Sequence, residues 1–327
     1  MTANTTQYTT HPIELTLELA QKKAAMLHSI RQFFITKGVL EVSTPILSHH
    51  GNTDVFIESI KANFHHHGKP ITGYLHTSPE FAMKRLLAEY QTPIYQICQV
   101  FRDNEQGSRH NSEFTMLEWY RPHFGLSDLA NELGELLNAV FGYYLPFKQY
   151  RYAQAFLDVL GIHPFASNAN TLKQCAIHHG IGLDMGADVQ GWLDLLFSHL
   201  IEPNLGKDLP TLVMDYPPAT AALAKIDTDA DGFDVARRFE LYIDGIEIAN
   251  AYDELADSAA LLARFETDNT QRARLGLPII PIDMPLIHAC DNLPPCSGIA
   301  LGIDRLFMVR HRLDSIRQAI AIPTDMA

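Results

Sequence analysis

No stretch of this chain approaches the run of about 18–20 apolar residues that crosses a bilayer. Residues Met1 to Pro12 have neither a basic n-region nor an apolar h-region, which reads against a secretory leader. Cysteine is scarce. Cys98, Cys175, Cys290 and Cys296 stand far apart, with no CxxC pair and no Cys/His spacing suited to zinc, so the expectation is four reduced thiols in a cytoplasmic protein. Positive charge is in deficit: 25 Lys+Arg face 38 Asp+Glu, a formal net charge of −13, which weighs against a dedicated nucleic-acid binder but leaves room for a local basic patch. Low-complexity segments, internal repeats and linkers are also missing, so nothing divides the chain into several domains.

What is present is the composition of a soluble globular protein, 46% hydrophobic and 19% charged, with volume for a substantial core. Leu15 to Phe34 has apolar residues Leu19, Met26, Ile30 and Phe33 at helical spacing, and Gly38 ends that helix. Val39 to Val42 reads as a short strand, and His65-His66-His67-Gly68 as a solvated loop between two strands. A second helix begins at Pro79-Glu80. Strands over Ile94 to Arg102 and Phe114 to Tyr120 flank the polar loop 103–112. A mostly helical region follows over 126–200, then a hairpin at 238–250, a helix across 254–274 and a strand-to-helix transition near 297–310. Hairpin-clustered strands with helices elsewhere predict an α+β fold built on a largely antiparallel sheet.

Asp244-Gly245 between alternating apolar residues signals a two-residue type I′ turn. Such a turn pairs Ile243 with Ile246, Tyr242 with Glu247 and Glu240 with Ala249. Glu240, Tyr242 and Glu247 then share one face, with the glutamates diagonal at about 7–8 Å. That pair suits Mg²⁺, which takes one or two carboxylates plus phosphate oxygens; a solvated outer face of an ordinary hairpin fits equally. Along Phe114 to Tyr120, alternation puts Glu118 and Tyr120 together, a pairing suited to an ammonium group. Arg102 ends the preceding strand with a planar fork for phosphate. Ser297 to Gly302 alternates small with apolar residues, as a strand closely approached by a ligand does, and Arg305 follows it at the head of a helix.

These segments, in this order, resemble the signature motifs of class II aminoacyl-tRNA synthetases. KGVLEVSTPIL (Lys37–Leu47) is similar to motif 1, VFRDNEQGSRHNSEFTMLEWY (Val100–Tyr120) to motif 2 and GIALGIDRL (Gly298–Leu306) to motif 3; the likeness runs from about Leu17 to Val309. Thr77-Ser78-Pro79-Glu80, HNSEFTMLEWY and RFELYIDGIEIANAYDEL narrow it to the lysyl branch. The lysyl enzymes carry an N-terminal OB-fold anticodon domain. The expected organisation here is a tail over 1–14 and a catalytic domain over 15–327, which is closest to the truncated paralogues of the EpmA (PoxA, GenX, YjeA) family.

That family attaches (R)-β-lysine to a lysine of translation elongation factor P. The resemblance therefore implies an ATP-dependent, AMP-forming ligase that uses ATP and Mg²⁺, with elongation factor P as partner, tRNA disfavoured, no membrane, and a homodimer by way of motif 1. By position it implies Arg102 and Arg305 as catalytic residues on the α- and γ-phosphates. Asp103, Asn104, His110, Asn111, Glu247, Ile248 and Gly302 complete the ATP site, with Glu240 and Glu247 on the metal. Ser78, Pro79, Glu80, Glu118, Tyr120, Asn250, Glu254 and Ala300 would surround a lysine-like substrate, for which Asn250 needs a bulge to reach the face of Glu247. Two positions depart from the lysyl pattern. Asn104 stands where motif 2 has glutamate, with Glu105 able to serve after a one-residue shift. Ala300 replaces a glycine, and its methyl can reject the α-amino arrangement of lysine. Two other readings stay open: a truncated synthetase charging tRNA, and an inactive paralogue serving as a binding or regulatory module.

Overall fold

The computed structural model describes residues 13–327. Most of the expected tail, up to residue 12, lies outside the described residues. Helix α1 (Leu17–Thr36) starts where the Thr16 hydroxyl accepts from Leu19 N at 3.3 Å, an N-cap that satisfies one orphan donor. It buries Met26, Ile30 and Phe34, each four residues after the last, while Leu19 and Phe33 pack only at the margin of the core.

Strand β1 (Leu40–Glu41) leads to β2 (Leu47–Ser48) and the hairpin of β3 (Lys61–His66) and β4 (Lys69–Leu75). His65 and His66 thus belong to a strand. Only His67 and Gly68 form the turn, both with positive φ, so the histidine run is not the loop that its polarity suggests. Helix α2 (Glu80–Tyr90) precedes the long hairpin of β5 (Ile94–Phe101) and β6 (Glu113–Pro122). Helix α3 (Leu126–Phe141) lies next, then β7 (Lys148–Arg151) and helices α4 (Tyr152–Leu160), α5 (Ala169–His178) and α6 (Val189–Leu196). Strands β8 (Thr211–Tyr216), β9 (Ile226–Thr228), β10 (Asp234–Ile243) and β11 (Ile246–Asp253) follow. Helices α7 (Ser258–Arg274) and α8 (Met284–Cys290), strand β12 (Cys296–Gly302) and helix α9 (Ile303–His311) complete the order.

Nine strands form one sheet in the order β1-β5-β6-β12-β11-β10-β8-β7, with β9 on β10; β2, β4 and β3 form a separate small sheet. Pairing is antiparallel except at the ends of the main path, where β1·β5 and β7·β8 are parallel. The fold is α+β, as the hairpin-rich pattern predicts.

Period-2 alternation assigns the two faces of this sheet. Tyr95, Trp119, Ile299, Ala251 and Phe239 lie in one cross-strand row and pack against α1, α3 and α9 in the principal core. Phe34 stacks on Tyr95 at 4.4 Å and meets Trp119 edge-on at 5.4 Å, tying α1 to that face. The opposite face is left for chemistry. Replacing Phe34 with Ala should lower the unfolding free energy by about 3–5 kcal/mol, read from urea denaturation; a loss under 1 kcal/mol would show that α1 does not anchor the sheet.

Candidate active site

The β10–β11 turn forms as its residues dictate, with Asp244 at φ 55 and Gly245 at φ 70. Tyr242 pairs with Glu247 and Ile243 with Ile246. Glu240, however, pairs with Asn250 and not with Ala249. The register shifts at Leu241/Tyr242 because Ile248 and Ala249 both turn into the core, a bulge that no strict alternation contains. Asn250 is thereby brought round to the face of Glu240 and Glu247, as its expected role requires.

On that face a cavity of about 810 Å³ opens over β6, β12 and β11 and reaches Arg238 of β10. Its wall includes Ser78, Glu80, Arg102, His110, Asn111, Glu118, Tyr120, Glu247, Ile248, Asn250, Glu254, Ala300, Gly302 and Arg305, residues that come from well-separated segments of the chain. Pro79, Asp103, Asn104 and Glu240 stand outside it. Pro79 only caps α2. Asp103 and Asn104 are exposed on the motif 2 loop, where Asn104 takes the left-handed conformation (φ 60) that asparagine tolerates. Glu105 lines the cavity in their place, 3.5 Å from Arg102.

One end of the cavity is cationic. Arg102 lies over the Phe114 ring at 5.3 Å, and its Nε is buried without a partner in the protein, a donor suited to an anion. Arg305 donates to His110 Nε2 at 2.7 Å and to the Glu247 carbonyl at 3.1 Å. Burial, then the charge of Arg305, holds the His110 imidazole below its ordinary pKa, so a neutral ring accepts from the guanidinium. The side chain of Asn111 is fully occupied: it donates to the Glu113 carbonyl at 2.6 Å and to Thr324 Oγ1 at 2.9 Å, and accepts from Thr324 N at 3.1 Å. Only its backbone is left to meet a ligand.

The other end is anionic. Ser78 Oγ donates to Glu118 Oε1 at 2.5 Å and Tyr120 Oη to Oε2 at 3.0 Å. Burial, with Glu80 nearby, pushes the Glu118 carboxyl up to about 8, against the opposing pull of Ser78, Tyr120 and Lys84. Glu254 rises to about 7, chiefly through burial, with Lys84 opposing. Gly298 is required here, since a Cβ would collide with Glu254 Oε1 and Tyr120 Cε1. Asn250 Oδ1 is a further buried acceptor without a partner, while its amide donates to Tyr252 Oη at 2.9 Å.

Glu240 faces an adjoining cavity of about 260 Å³ that shares Glu247 and Arg238 with the larger one. Its Oε1 accepts from Arg238 and its Oε2 from Tyr216, at 2.6 Å, and from Tyr242. Beside it stands Glu202, which the sequence reading missed because it lies in an irregular helical turn without periodic signal. Burial, then Glu247 and Glu240, push Glu202 up to about 7. Glu247 is also raised, by burial and by Glu240; 39% of its side chain is accessible, on a wall shared by both cavities. Mutual repulsion among these hard oxygen donors fits a divalent cation. Among the described residues no group of three or more His, Cys, Asp or Glu meets metal-holding geometry, so a cation here would take few protein ligands and complete its shell from phosphate or water.

A cavity with arginines at one end, carboxylates at the other and an antiparallel sheet beneath is the catalytic architecture of class II synthetases. The family model described as tRNA synthetases class II (D, K and N) matches residues 8–326, and the chain belongs to that family. It is similar over 94% of its length to proteins named Elongation factor P--(R)-beta-lysine ligase. The Photobacterium profundum protein is 45% identical over 312 residues, 96% of its own length. That of Vibrio atlanticus is 44% identical over 315 residues, also 96%. That of Hamiltonella defensa subsp. Acyrthosiphon pisum is 43% identical over 311 residues, 95% of its length. The chain is accordingly an ATP-dependent ligase of the class II, lysyl-tRNA synthetase-like type. No helix among the described residues is long and apolar enough to cross a membrane.

The raised carboxyls set the pH response of the free protein. A folded pKa above the ordinary 4.5 means that the native state holds protons the unfolded chain has released. Stability from Glu118 and Glu254 is therefore full below 4.5 and is lost as pH rises towards about 8. Urea denaturation from pH 5 to 8.5 should show a fall on the order of a few kcal/mol. Glu118→Gln should flatten that fall; an unchanged slope would mean that Glu118 does not carry it.

Proposed function

We propose that this ligase joins (R)-β-lysine to ATP as an aminoacyl adenylate and transfers it to a lysine side chain of translation elongation factor P. The observation that carries the reading is the polarity of the larger cavity: a buried Glu118 with Glu80 and Glu254 at one end, and Arg102 with an unpartnered Nε beside Arg305 at the other. The first end suits the ammonium groups of a diamino acid, and the second a triphosphate. The names of the relatives supply the acceptor and the β-amino acid.

In the first step the substrate carboxylate attacks the α-phosphorus, an O–P bond forms, and pyrophosphate leaves with the electrons of the broken P–O bond. Arg102 stabilises the charge that grows on the α-phosphate, and Arg305 holds the γ-phosphate with His110 beside it. The Asn111 backbone and Gly302 border the nucleotide. A divalent cation held by Glu247 and Glu240, with Glu202 near, would supply neutralisation of the phosphate charge. In the second step the acceptor amine attacks the acyl carbon, the C–O bond to AMP breaks and an amide results. No side chain acts as nucleophile; the rate comes from placement and charge stabilisation.

Ser78, Glu80, Glu118, Tyr120, Asn250 and Glu254 would bind the substrate, with Ala300 between them: it pairs with Glu118 on one side and Asn250 on the other. A methyl there narrows the space for an α-amino group. A protein acceptor is favoured over tRNA by the names of the relatives and by the net charge of −13, which opposes RNA. A translation factor as acceptor implies a cytoplasmic enzyme. Leu40, Ile46 and Leu47 stand exposed along the motif 1 segment, with Ile35 just before it on α1, an apolar strip suited to a second copy in a homodimer.

Pyrophosphate should exchange into ATP with (R)-β-lysine and less well with lysine, and Arg102→Ala or Arg305→Ala should slow it by roughly 10²–10³-fold or more. Loaded enzyme should pass label to elongation factor P and not to tRNA. Absence of exchange with lysine and with both β-lysine enantiomers would end the adenylation reading, and label on tRNA would redirect the acceptor. Ala300→Gly should shift the exchange preference towards lysine; an unchanged preference would make that methyl simple packing.

A further inference from the structure

Lys84 is a buried cation that the ligase reading does not use. It sits on α2, is 1% exposed and does not line the cavity. Its Nζ donates to Glu80 Oε1, one turn earlier, at 2.7 Å. It also lies 2.6 Å from Glu254 Oε2, an ion pair that falls short of an aligned hydrogen bond. Both carboxylates belong to the cavity wall. A buried lysine needs such partners, because the cost of desolvating its charge is otherwise several kcal/mol or more.

We propose that Lys84 is a positioning residue of the amino-acid site, which holds Glu80 and Glu254 at the cavity wall and sets the charge of the pocket. Once Glu118 and Glu254 have given up the protons that burial makes them hold, three carboxylates, Glu80, Glu118 and Glu254, against one ammonium leave two negative charges. Two is the number that a diamino acid with both amines protonated neutralises. The inference rests on the diamino-acid reading above and adds to it a reason why one carboxylate must be cancelled in advance.

The surrounding groups leave that count intact. From β6 and β11, Tyr120 and Tyr252 face the cluster, and burial raises both phenols, which keeps them neutral. From β12 and α8, Cys296 and Cys290 are thiols likewise raised by burial. Asp253 beside Glu254 is paired with Lys225 at 2.6 Å. Lys84 itself stays charged: burial opposes the ammonium, but Glu254 and Glu80 outweigh it and lift its pKa above the ordinary lysine range.

Calorimetric titration of (R)-β-lysine and of lysine without ATP, from pH 5.5 to 9, reads this site apart from adenylation, so that a failed ligase and a failed Lys84 role give different results. The acidic midpoint of binding reports the pH at which the pocket gains its negative charge. Lys84→Met removes the cancelling ammonium, so the midpoint should rise by about one pH unit, with affinity near pH 7 falling about tenfold and recovering towards pH 9. Glu80→Gln should lower the midpoint. The double variant Glu80→Gln/Lys84→Met returns the count to two and should bring the midpoint back near that of the native enzyme. If Lys84→Met does not fold, the comparison of Glu80→Gln with the double variant still decides, because the midpoint must rise between them. Midpoints that stay together, or absence of binding of either diamine to the native enzyme, overturn the proposal.

Discussion

Three strands in fixed antiparallel register, β6, β12 and β11, hold the site together. Their ladder sets Glu118 beside Ala300 and Ala300 beside Asn250, and continues to Glu240 on β10. Two residues along each strand, Tyr120, Gly298, Tyr252 and Arg238 form a parallel row on the same face. Because side chains alternate between faces away from the bulge in β11, a slip of one residue in any pairing would send the carboxylates into the core. What prevents the slip is the row between them on the other face, where Trp119, Ile299, Ala251 and Phe239 are packed under α1 and α3. The hydrophobic core thus acts as the ruler of the active site.

The sheet also manages opposite charges without letting them cancel. Two of the arginines reach the cavity from the ends of strands: Arg102 just after β5 and Arg305 in the first turn of α9. Of the facing carboxylates, Glu118 rises from the interior of β6, Glu254 from just after β11 and Glu80 from the start of α2. This separates the cationic and anionic ends within one continuous space, as a ligand with phosphate at one end and ammonium at the other demands. Where charge is buried most deeply it is paired, as in Lys84 with Glu80 and Glu254, or it is shifted in pKa, as in Glu118. The cost of this crowding falls on the free protein, and a ligand of the right charge relieves it.

The β10–β11 hairpin shows how a small irregularity serves a site. Its turn follows from Asp244-Gly245, but the bulge at Ile248 and Ala249 depends on how the core accepts two successive apolar residues. That bulge changes the partner of Glu240 and turns Asn250 to the working face. In the motif 2 loop Asn104 is left-handed and exposed, and the next residue, Glu105, lines the cavity. In both places one unusual residue of backbone replaces what would otherwise require a different sequence.

Local pattern was enough to read the α+β class, the hairpins, the type I′ turn and the two faces of β6, and the likeness to the class II motifs named most of the residues that meet in the cavity. These depend on period-2 alternation, turn chemistry and short motifs, which act over a few residues and leave their mark in the order of amino acids. The site's remaining features rest on contacts between distant segments. Lys84 reads as one of two adjacent basic residues on a helix until the chain just past β11 brings Glu254 to it, and Glu202 has no pattern at all. The bulge, the exposed left-handed Asn104 and the hydrogen bonds that Arg238, Tyr216 and Tyr242 give Glu240 at the wall of the smaller cavity were likewise decided by packing. Burial and charge pairing are properties of three-dimensional neighbourhoods, and only the tertiary structure could assign them.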